Sequence, residues 1–111
     1  MSHSPSSGRR VPHALSIAGV DPSGGAGVLA DVKAMSALGA YGCAVIAALT
    51  AQNTQGVTGI SPVPPAFVAQ QIDTLFADVR IDAVKIGMLG QLPVIVTVAE
   101  RLARWTPTHV V

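Results

Sequence analysis

From residue 14 onward, short apolar runs alternate with longer stretches in which apolar residues recur at helical spacing. The runs typical of strands are residues 14–18, 42–50, 83–88 and 109–111, and the stretches typical of helices are residues 28–38, about 65–79 and 93–105. Such alternation is the mark of β-α units that build a parallel sheet. The pattern therefore predicts an α/β fold.

Each predicted helix carries one apolar stripe that could lie against the sheet. The stripe residues are Val28, Leu29, Val32, Met35 and Leu38 in the first helix, Val68, Ile72, Leu75, Phe76 and Val79 in the second, and Ile95, Val98, Leu102 and Trp105 in the third. Gly39 fits the end of the first helix, because glycine is favoured just beyond a helix C-terminus. The stripes predict helices that pack on a sheet.

The second predicted strand, residues 42–50, is almost continuously apolar. This is expected of a central parallel strand that is buried on both faces, and a buried helix is the weaker alternative. Residues 52–56 break the pattern, and a short β-like segment through Ile60 leads into the proline-rich residues 62–65. Proline is favoured in the first turn of a helix, so the second helix should begin there.

Residues 1–13 are rich in Ser, Pro, Arg and His and show no apolar period, so we expect a disordered tail followed by one domain over residues 14–111. Half of the 111 residues are apolar and only 12% are charged, which is little surface charge for a freestanding globule. A parallel strand begun at residue 109 would normally be paired and followed by another crossover helix. We therefore expect a sheet truncated after about the fourth strand.

Charge and composition exclude several partners. The formal net charge is +1, and the few basic residues form no stripe for nucleic acid and no cluster for an anionic membrane. The chain has no long apolar span and no apolar leader at its N-terminus, which predicts a soluble intracellular protein. Cys43 is the only cysteine, and its apolar neighbours predict a buried, inert thiol.

Candidate chemistry lies at the strand exits, because ligands of open α/β sheets bind beyond the carboxyl ends of the strands. The exits carry Gly19 and residues 21–27, then Thr50, Gln52 and Asn53, then Gly87 and Met88. The glycine-rich loop could form an anion nest, let a planar ligand approach the backbone, or simply make a tight turn. Its spacing matches neither the dinucleotide fingerprint nor the Walker loop.

Single polar side chains add to this picture. Asp31 lies inside the apolar stripe of the first helix, so its carboxylate needs a partner, either a structural ion pair or a ligand. Lys85, within an apolar strand, is a possible partner. The Gln52 amide suits an aminopyrimidine edge, or makes a loop hydrogen bond. The Met88 thioether could lie against a heteroaromatic ring, and core packing explains it nearly as well.

Four collinear motifs carry a family resemblance. Residues 18–27 (AGVDPSGGAG), 36–42 (SALGAYG), 50–57 (TAQNTQGV) and 84–89 (VKIGML) resemble the hydroxymethylpyrimidine kinase/phosphomethylpyrimidine kinase family, and the match extends from about residue 14 to 111. The resemblance implies a ribokinase-like parallel sheet with helices on both faces. It also implies a cytoplasmic enzyme that uses ATP and Mg²⁺ to phosphorylate hydroxymethylpyrimidine and then its monophosphate for thiamine biosynthesis.

The resemblance also implies a substrate pocket. Its positions are Gln52, Asp31, Gly19, Ala26 and Met88, with Thr50 at a further lining position. Leu29 and Val20 depart from the residues common in the family, although neither change removes a matched contact. The family's later ATP-binding residues and its glycine-rich turn with a catalytic cysteine have no counterpart here, and Cys43 does not take that role.

Several expectations about activity follow from that departure. We expect no catalytic residue within the chain and no turnover by the chain alone. It would then be the pyrimidine-binding half of a kinase, a catalytically inactive remnant, or a non-catalytic pyrimidine-binding module. A homodimer or a complementary C-terminal chain would be its partner.

Overall fold

The computed structural model describes residues 10–111, so residues 1–9 of the predicted tail lie outside the described part. A five-stranded sheet has the order β3-β2-β1-β4-β5. The elements are β1 (His13–Val20), α1 (Gly27–Ala37), β2 (Tyr41–Asn53), β3 (Gly56–Pro62), α2 (Pro65–Asp78), β4 (Ala83–Ile86), α3 (Leu92–Trp105) and β5 (His109–Val110). None of the described helices is long and apolar enough to cross a membrane.

The sheet is mixed, whereas the sequence pattern predicted parallel strands only. Strand β1 pairs in parallel with β2 and β4, and β4 pairs in parallel with β5, but β3 runs antiparallel to β2. The reason is the short turn between β2 and β3, where the Asn53 side-chain oxygen accepts hydrogen bonds from the backbone N–H groups of Gln55 and Gly56. A turn this short can return the chain only as an antiparallel neighbour.

Helices cover both faces of the sheet, which confirms the predicted layers. Helix α1 contacts β1 and β2, while α2 and α3 pack together on the opposite face. Because side chains alternate along a strand, Leu15 and Ile17 of β1 face α2 and α3, whereas Ser16 faces α1. The main core lies on the α2 and α3 side and includes Val45, Val68, Ile72, Val84, Val98 and Leu102.

Strand β2 lies inside the sheet and runs parallel to β1 as predicted, but it is not buried on both faces, and the most buried strand is β1. Residues 15–18 of β1 are all buried, but in β2 only Val45 and Ala47 are. The far half of β2 pairs with the exposed strand β3, so one side of it has little cover. Cys43, predicted to be buried, is half-buried at the margin of the core, and this burial raises the pKa of its thiol.

Two apolar stripes differ from their prediction. In α3, Val98 and Leu102 are buried and Trp105 packs against the core as predicted, but Ile95 is 46% exposed and Val94 is buried in its place. In α1 only Val28 is fully buried, and Leu29 and Leu38 are exposed. Leu38 is the C-cap, where the chain leaves the helix, followed by Gly39 at φ 88° as predicted.

Candidate functional site

A cavity of about 730 Å³ opens at the carboxyl ends of β1, β2 and β4, where the sequence placed its candidate chemistry. Five of the six predicted pocket residues line it, namely Gly19, Ala26, Thr50, Gln52 and Met88. The sixth, Asp31, does not line the cavity and reaches it only through Lys85. The exits of the three strands therefore meet in space, as predicted from their position at the carboxyl ends of the strands.

The loop after β1 is built around the buried carboxylate of Asp21. One of its oxygens accepts hydrogen bonds from the Ser23 hydroxyl at 2.7 Å and the Ser23 N–H at 2.9 Å, and the other accepts one from the Gly25 N–H at 3.1 Å. The Ser23 hydroxyl contributes most to lowering the pKa of Asp21, with the backbone donors adding to it against the cost of burial. Asp21 thus holds the loop in shape.

Close contact between this loop and the end of β1 depends on Gly27. Its φ is +66°, and a Cβ atom there would lie 2.2 Å from the backbone oxygen of Gly19. No other residue fits both constraints, because a side chain would disfavour the backbone angle and collide with the strand. The start of α1 therefore sits directly against the exit of β1, with Ala26 on the cavity wall.

On the neighbouring strand, Thr50 and Gln52 lie side by side on the cavity wall. The Thr50 hydroxyl lies 2.6 Å from the backbone oxygen of Val20, to which it donates, and 3.1 Å from the side-chain oxygen of Gln52. Its contact with Val20 also ties β2 to β1. The amide nitrogen of Gln52 has no hydrogen-bond partner among residues 10–111. Asn53, expected at the same exit, uses its side chain in the turn instead.

Asp31 forms the structural ion pair that the sequence left as one of two alternatives. Its carboxylate oxygens lie 2.9 and 3.1 Å from Lys85 Nζ, and the fully buried Ser16 hydroxyl donates to Oδ2 at 2.7 Å. Partial burial opposes ionisation of Asp31, but the hydrogen bonds from Ser16 and Lys85 and the lysine charge outweigh it and lower the pKa of the carboxyl.

The hairpin strand β3 supplies part of the wall that sequence reasoning missed. Val57, Ile60 and Pro62 line the cavity, and Val57 and Ile60 are more than half exposed. The short turn after Asn53 could have predicted this wall, because a strand that returns antiparallel to β2 begins at the same edge of the sheet as the cavity. Met88 is 87% exposed, so it lies at the mouth of the cavity and is not a core residue.

Comparison with known proteins gives consistent matches. Residues 21–111 match the family described as phosphomethylpyrimidine kinase. Over 99 residues the chain is 59% identical to the hydroxymethylpyrimidine/phosphomethylpyrimidine kinase of Escherichia coli (strain K12), covering 89% of this chain and 37% of that protein. The chain therefore spans well under half the length of this relative.

Solved structures show the same relationship. The crystal structure of phosphomethylpyrimidine kinase from Clostridium difficile 630 matches with a TM-score of 0.86 and 42% identity, over 89% of this chain and 43% of that one. Pyridoxal kinase from Staphylococcus aureus, in complex with AMP-PCP and pyridoxal, matches with a TM-score of 0.81 and 28% identity, over 92% of this chain and 38% of that one. These neighbours place the sheet and helices in the ribokinase-like fold that the sequence motifs implied.

Proposed function

Since the chain belongs to the phosphomethylpyrimidine kinase family, we propose that it provides the pyrimidine-binding part of a hydroxymethylpyrimidine/phosphomethylpyrimidine kinase. Such an enzyme transfers phosphate from ATP to 4-amino-5-hydroxymethyl-2-methylpyrimidine and then to the monophosphate, in the cytoplasmic synthesis of thiamine diphosphate. The observation that carries the proposal is the Gln52 amide, which lies beside Thr50 on the wall of a cavity of suitable size and whose nitrogen has no hydrogen-bond partner among residues 10–111.

The proposed contacts follow from the chemistry of the wall. The Gln52 amide can donate and accept at once, which matches an exocyclic amine beside a ring nitrogen. Gly19 and Ala26 present almost no side chain, so a flat ring can approach the backbone there. The exposed thioether of Met88 can close over the ring face when a ligand enters. These contacts would bind and orient the acceptor for phosphoryl transfer.

ATP and Mg²⁺ belong to the proposed reaction, but residues 10–111 offer no cluster of three or more His, Cys, Asp or Glu residues that could hold a metal ion. We therefore assign the donor and its cation to parts of the relatives that this chain does not span, and route no step through them. A complementary chain with those parts, or a homodimer, is the partner we propose. The exposed strand β5 offers an edge for further pairing.

Calorimetric titration of the 111-residue chain with hydroxymethylpyrimidine tests the proposal. We expect saturable binding, weakened about 10-fold or more in Gln52→Ala, because a polar contact in a desolvated site is lost. Gln70→Ala, an exposed glutamine on α2, is the matched control and should bind as the wild type does. Absence of binding at millimolar pyrimidine by a folded chain would reject the proposal.

Pyridoxal is the competitor that defines the substrate class, because a solved neighbour is a pyridoxal kinase. Pyridoxal lacks the aminopyrimidine edge that Gln52 is proposed to read, so it should displace hydroxymethylpyrimidine only at much higher concentration. Equal affinity for both ligands would assign the cavity to a broader class of vitamin precursors. ATP-dependent turnover, measured in the same samples, separates a binding module from an active enzyme.

A further inference from the structure

A polar cluster of three residues, Ser16, Asp31 and Lys85, joins β1, α1 and β4 beside the cavity. Ser16 is completely buried, and its hydroxyl donates to Asp31 Oδ2 at 2.7 Å. Lys85 Nζ lies 2.9 Å from Oδ2 and 3.1 Å from Oδ1 of the same carboxylate. A carboxylate held from two elements has a fixed orientation, so the ammonium group that it holds is fixed as well.

The two charged groups differ in their access to the cavity. Both oxygens of Asp31 already accept hydrogen bonds from protein groups, its side chain is 19% exposed, and it does not line the cavity. The Lys85 side chain is 47% exposed and does line it. An ammonium group has three N–H donors, and the two oxygens of Asp31 engage at most two of them. At least one donor of Lys85 is therefore available to a ligand.

Among the described residues that line the cavity, Lys85 is the one that carries a positively charged hydrogen-bond donor. The other charged residue on the wall is Asp21, whose two oxygens serve the turn at Ser23 and Gly25. Space beside the ammonium group is kept open by Gly87, where a Cβ atom would lie 3.7 Å from Lys85 Nζ and only 2.8 Å from the Ala18 Cβ. A ligand that enters the cavity can thus approach Lys85 from the side of β4.

We propose that Lys85 donates a hydrogen bond to the oxygen on the C5 methylene of the bound pyrimidine, and that Asp31, held by Ser16, positions Lys85 and does not itself contact the ligand. That oxygen belongs to a hydroxyl in one proposed substrate and to a phosphate in the other. The inference rests on the proposed function. It follows because Gln52 already matches the aminopyrimidine edge, which leaves this oxygen as the acceptor best suited to a cationic donor.

Three ligands and one pair of variants test the contact. The ligands are hydroxymethylpyrimidine, its monophosphate, and 4-amino-2,5-dimethylpyrimidine, which lacks the oxygen. In Lys85→Met we expect affinity to fall about 10-fold for the alcohol and about 100-fold for the phosphate, since charge-assisted hydrogen bonds are stronger, and to stay unchanged for the dimethyl compound. Lys33→Met removes the other lysine of the chain, which does not line the cavity, and should leave all three affinities unchanged.

Variants of the other two residues test the positioning role. Asp31→Asn and Ser16→Ala should weaken the two oxygen-bearing ligands and spare the dimethyl compound, and Lys85→Arg should recover part of the loss seen in Lys85→Met. Circular dichroism and thermal melting establish that each variant is folded. Lys85→Met leaves the Asp31 carboxylate without its charged partner, which could destabilise the variant. The double variant Asp31→Asn/Lys85→Met avoids this unpaired charge, and we expect it to show the same selectivity among the three ligands.

Equal weakening of all three ligands by Asp31→Asn, with no selectivity in Lys85→Met, would overturn the inference and make Asp31 a ring contact. Unchanged affinity for the oxygen-bearing ligands in folded Lys85→Met would also overturn it. Failure of the wild-type chain to bind any of the three pyrimidines would instead reject the proposed function, so the two failures are distinguishable.

Discussion

Gln71 of α2 makes hydrogen bonds with both backbone groups of Ile46 in β2. The Gln71 side-chain oxygen accepts from the Ile46 N–H at 2.8 Å, and its amide nitrogen donates to the Ile46 carbonyl at 2.9 Å. Pairing between β2 and β3 begins only at Ala48, so without Gln71 this part of β2 would be an open sheet edge. A helix side chain thus covers an edge that could otherwise pair with another chain.

Replacing Gln71 with Leu should therefore lower the free energy of unfolding by about 1–3 kcal/mol, because two backbone groups lose their partners. Urea unfolding followed by circular dichroism measures the change. Gln70→Leu, at the exposed neighbouring position on α2, should have an effect close to zero. Light scattering should also show more self-association in Gln71→Leu than in the control. Equal stability of the two variants would show that water replaces the Gln71 contacts without cost.

Substitutions at Gly27 and Gly39 distinguish the cost of an unfavourable backbone angle from the cost of a steric collision. Both have positive φ, +66° and +88°, but a Cβ at Gly27 would lie 2.2 Å from the Gly19 backbone oxygen, whereas Gly39 has open space. Gly39→Ala should cost about 1–2 kcal/mol of unfolding free energy from backbone conformation alone. Gly27→Ala should cost clearly more and should weaken pyrimidine binding, because the loop must move away from β1. Similar costs in urea unfolding would contradict this account.

Periodicity predicted the regular elements well, because each buried face repeats along several turns or residues. It was wrong about the burial of residues whose environment depends on neighbours distant in sequence. Ile95 and Val94 are both apolar, and only the packing of α3 against α2 decides that Val94 is buried. The pocket positions came mainly from sequence motifs, whereas the wall formed by β3 required the hairpin geometry. The ion pair between Asp31 and Lys85 joins residues far apart in sequence, so its geometry needed the fold.

Acid should unfold the chain partly through Asp21. Its pKa is lowered from the ordinary value of 3.8, chiefly by the Ser23 hydroxyl. A group whose pKa is lower in the folded state stabilises that state above its unfolded pKa, and the contribution is lost as pH falls through the folded pKa. Unfolding free energy measured from pH 5 down to about pH 2 should therefore decrease less steeply in Asp21→Asn than in the wild type.

The control for this pH dependence is Asp78→Asn, which changes an exposed carboxylate on α2. This variant removes one carboxylate and leaves the contacts of the loop after β1 intact, so the difference between the two variants measures the effect of the Asp21 contacts. A wild-type slope retained in Asp21→Asn would mean that other carboxylates account for the acid sensitivity. Asp31 and Asp82, whose pKa values are also lowered, would then be the residues to replace next.

Trp105 connects the two helices on the core side of the sheet. Its indole N–H donates to Asp73 Oδ1 of α2 at 2.8 Å, and its ring stacks on Phe76 with centroids 5.6 Å apart. Trp105→Phe keeps an aromatic ring but removes the donor, so we expect a loss of about 1 kcal/mol in unfolding free energy. Asp73→Asn keeps an acceptor for the indole N–H, and the ion pairs that it loses with Arg101 at 3.6 Å and Arg104 at 3.9 Å are partly exposed and weak, so it should cost less. Because Trp105 is the only tryptophan, its fluorescence in Asp73→Asn reports directly on this contact. A wild-type unfolding midpoint in Trp105→Phe would contradict a stabilising hydrogen bond between α2 and α3.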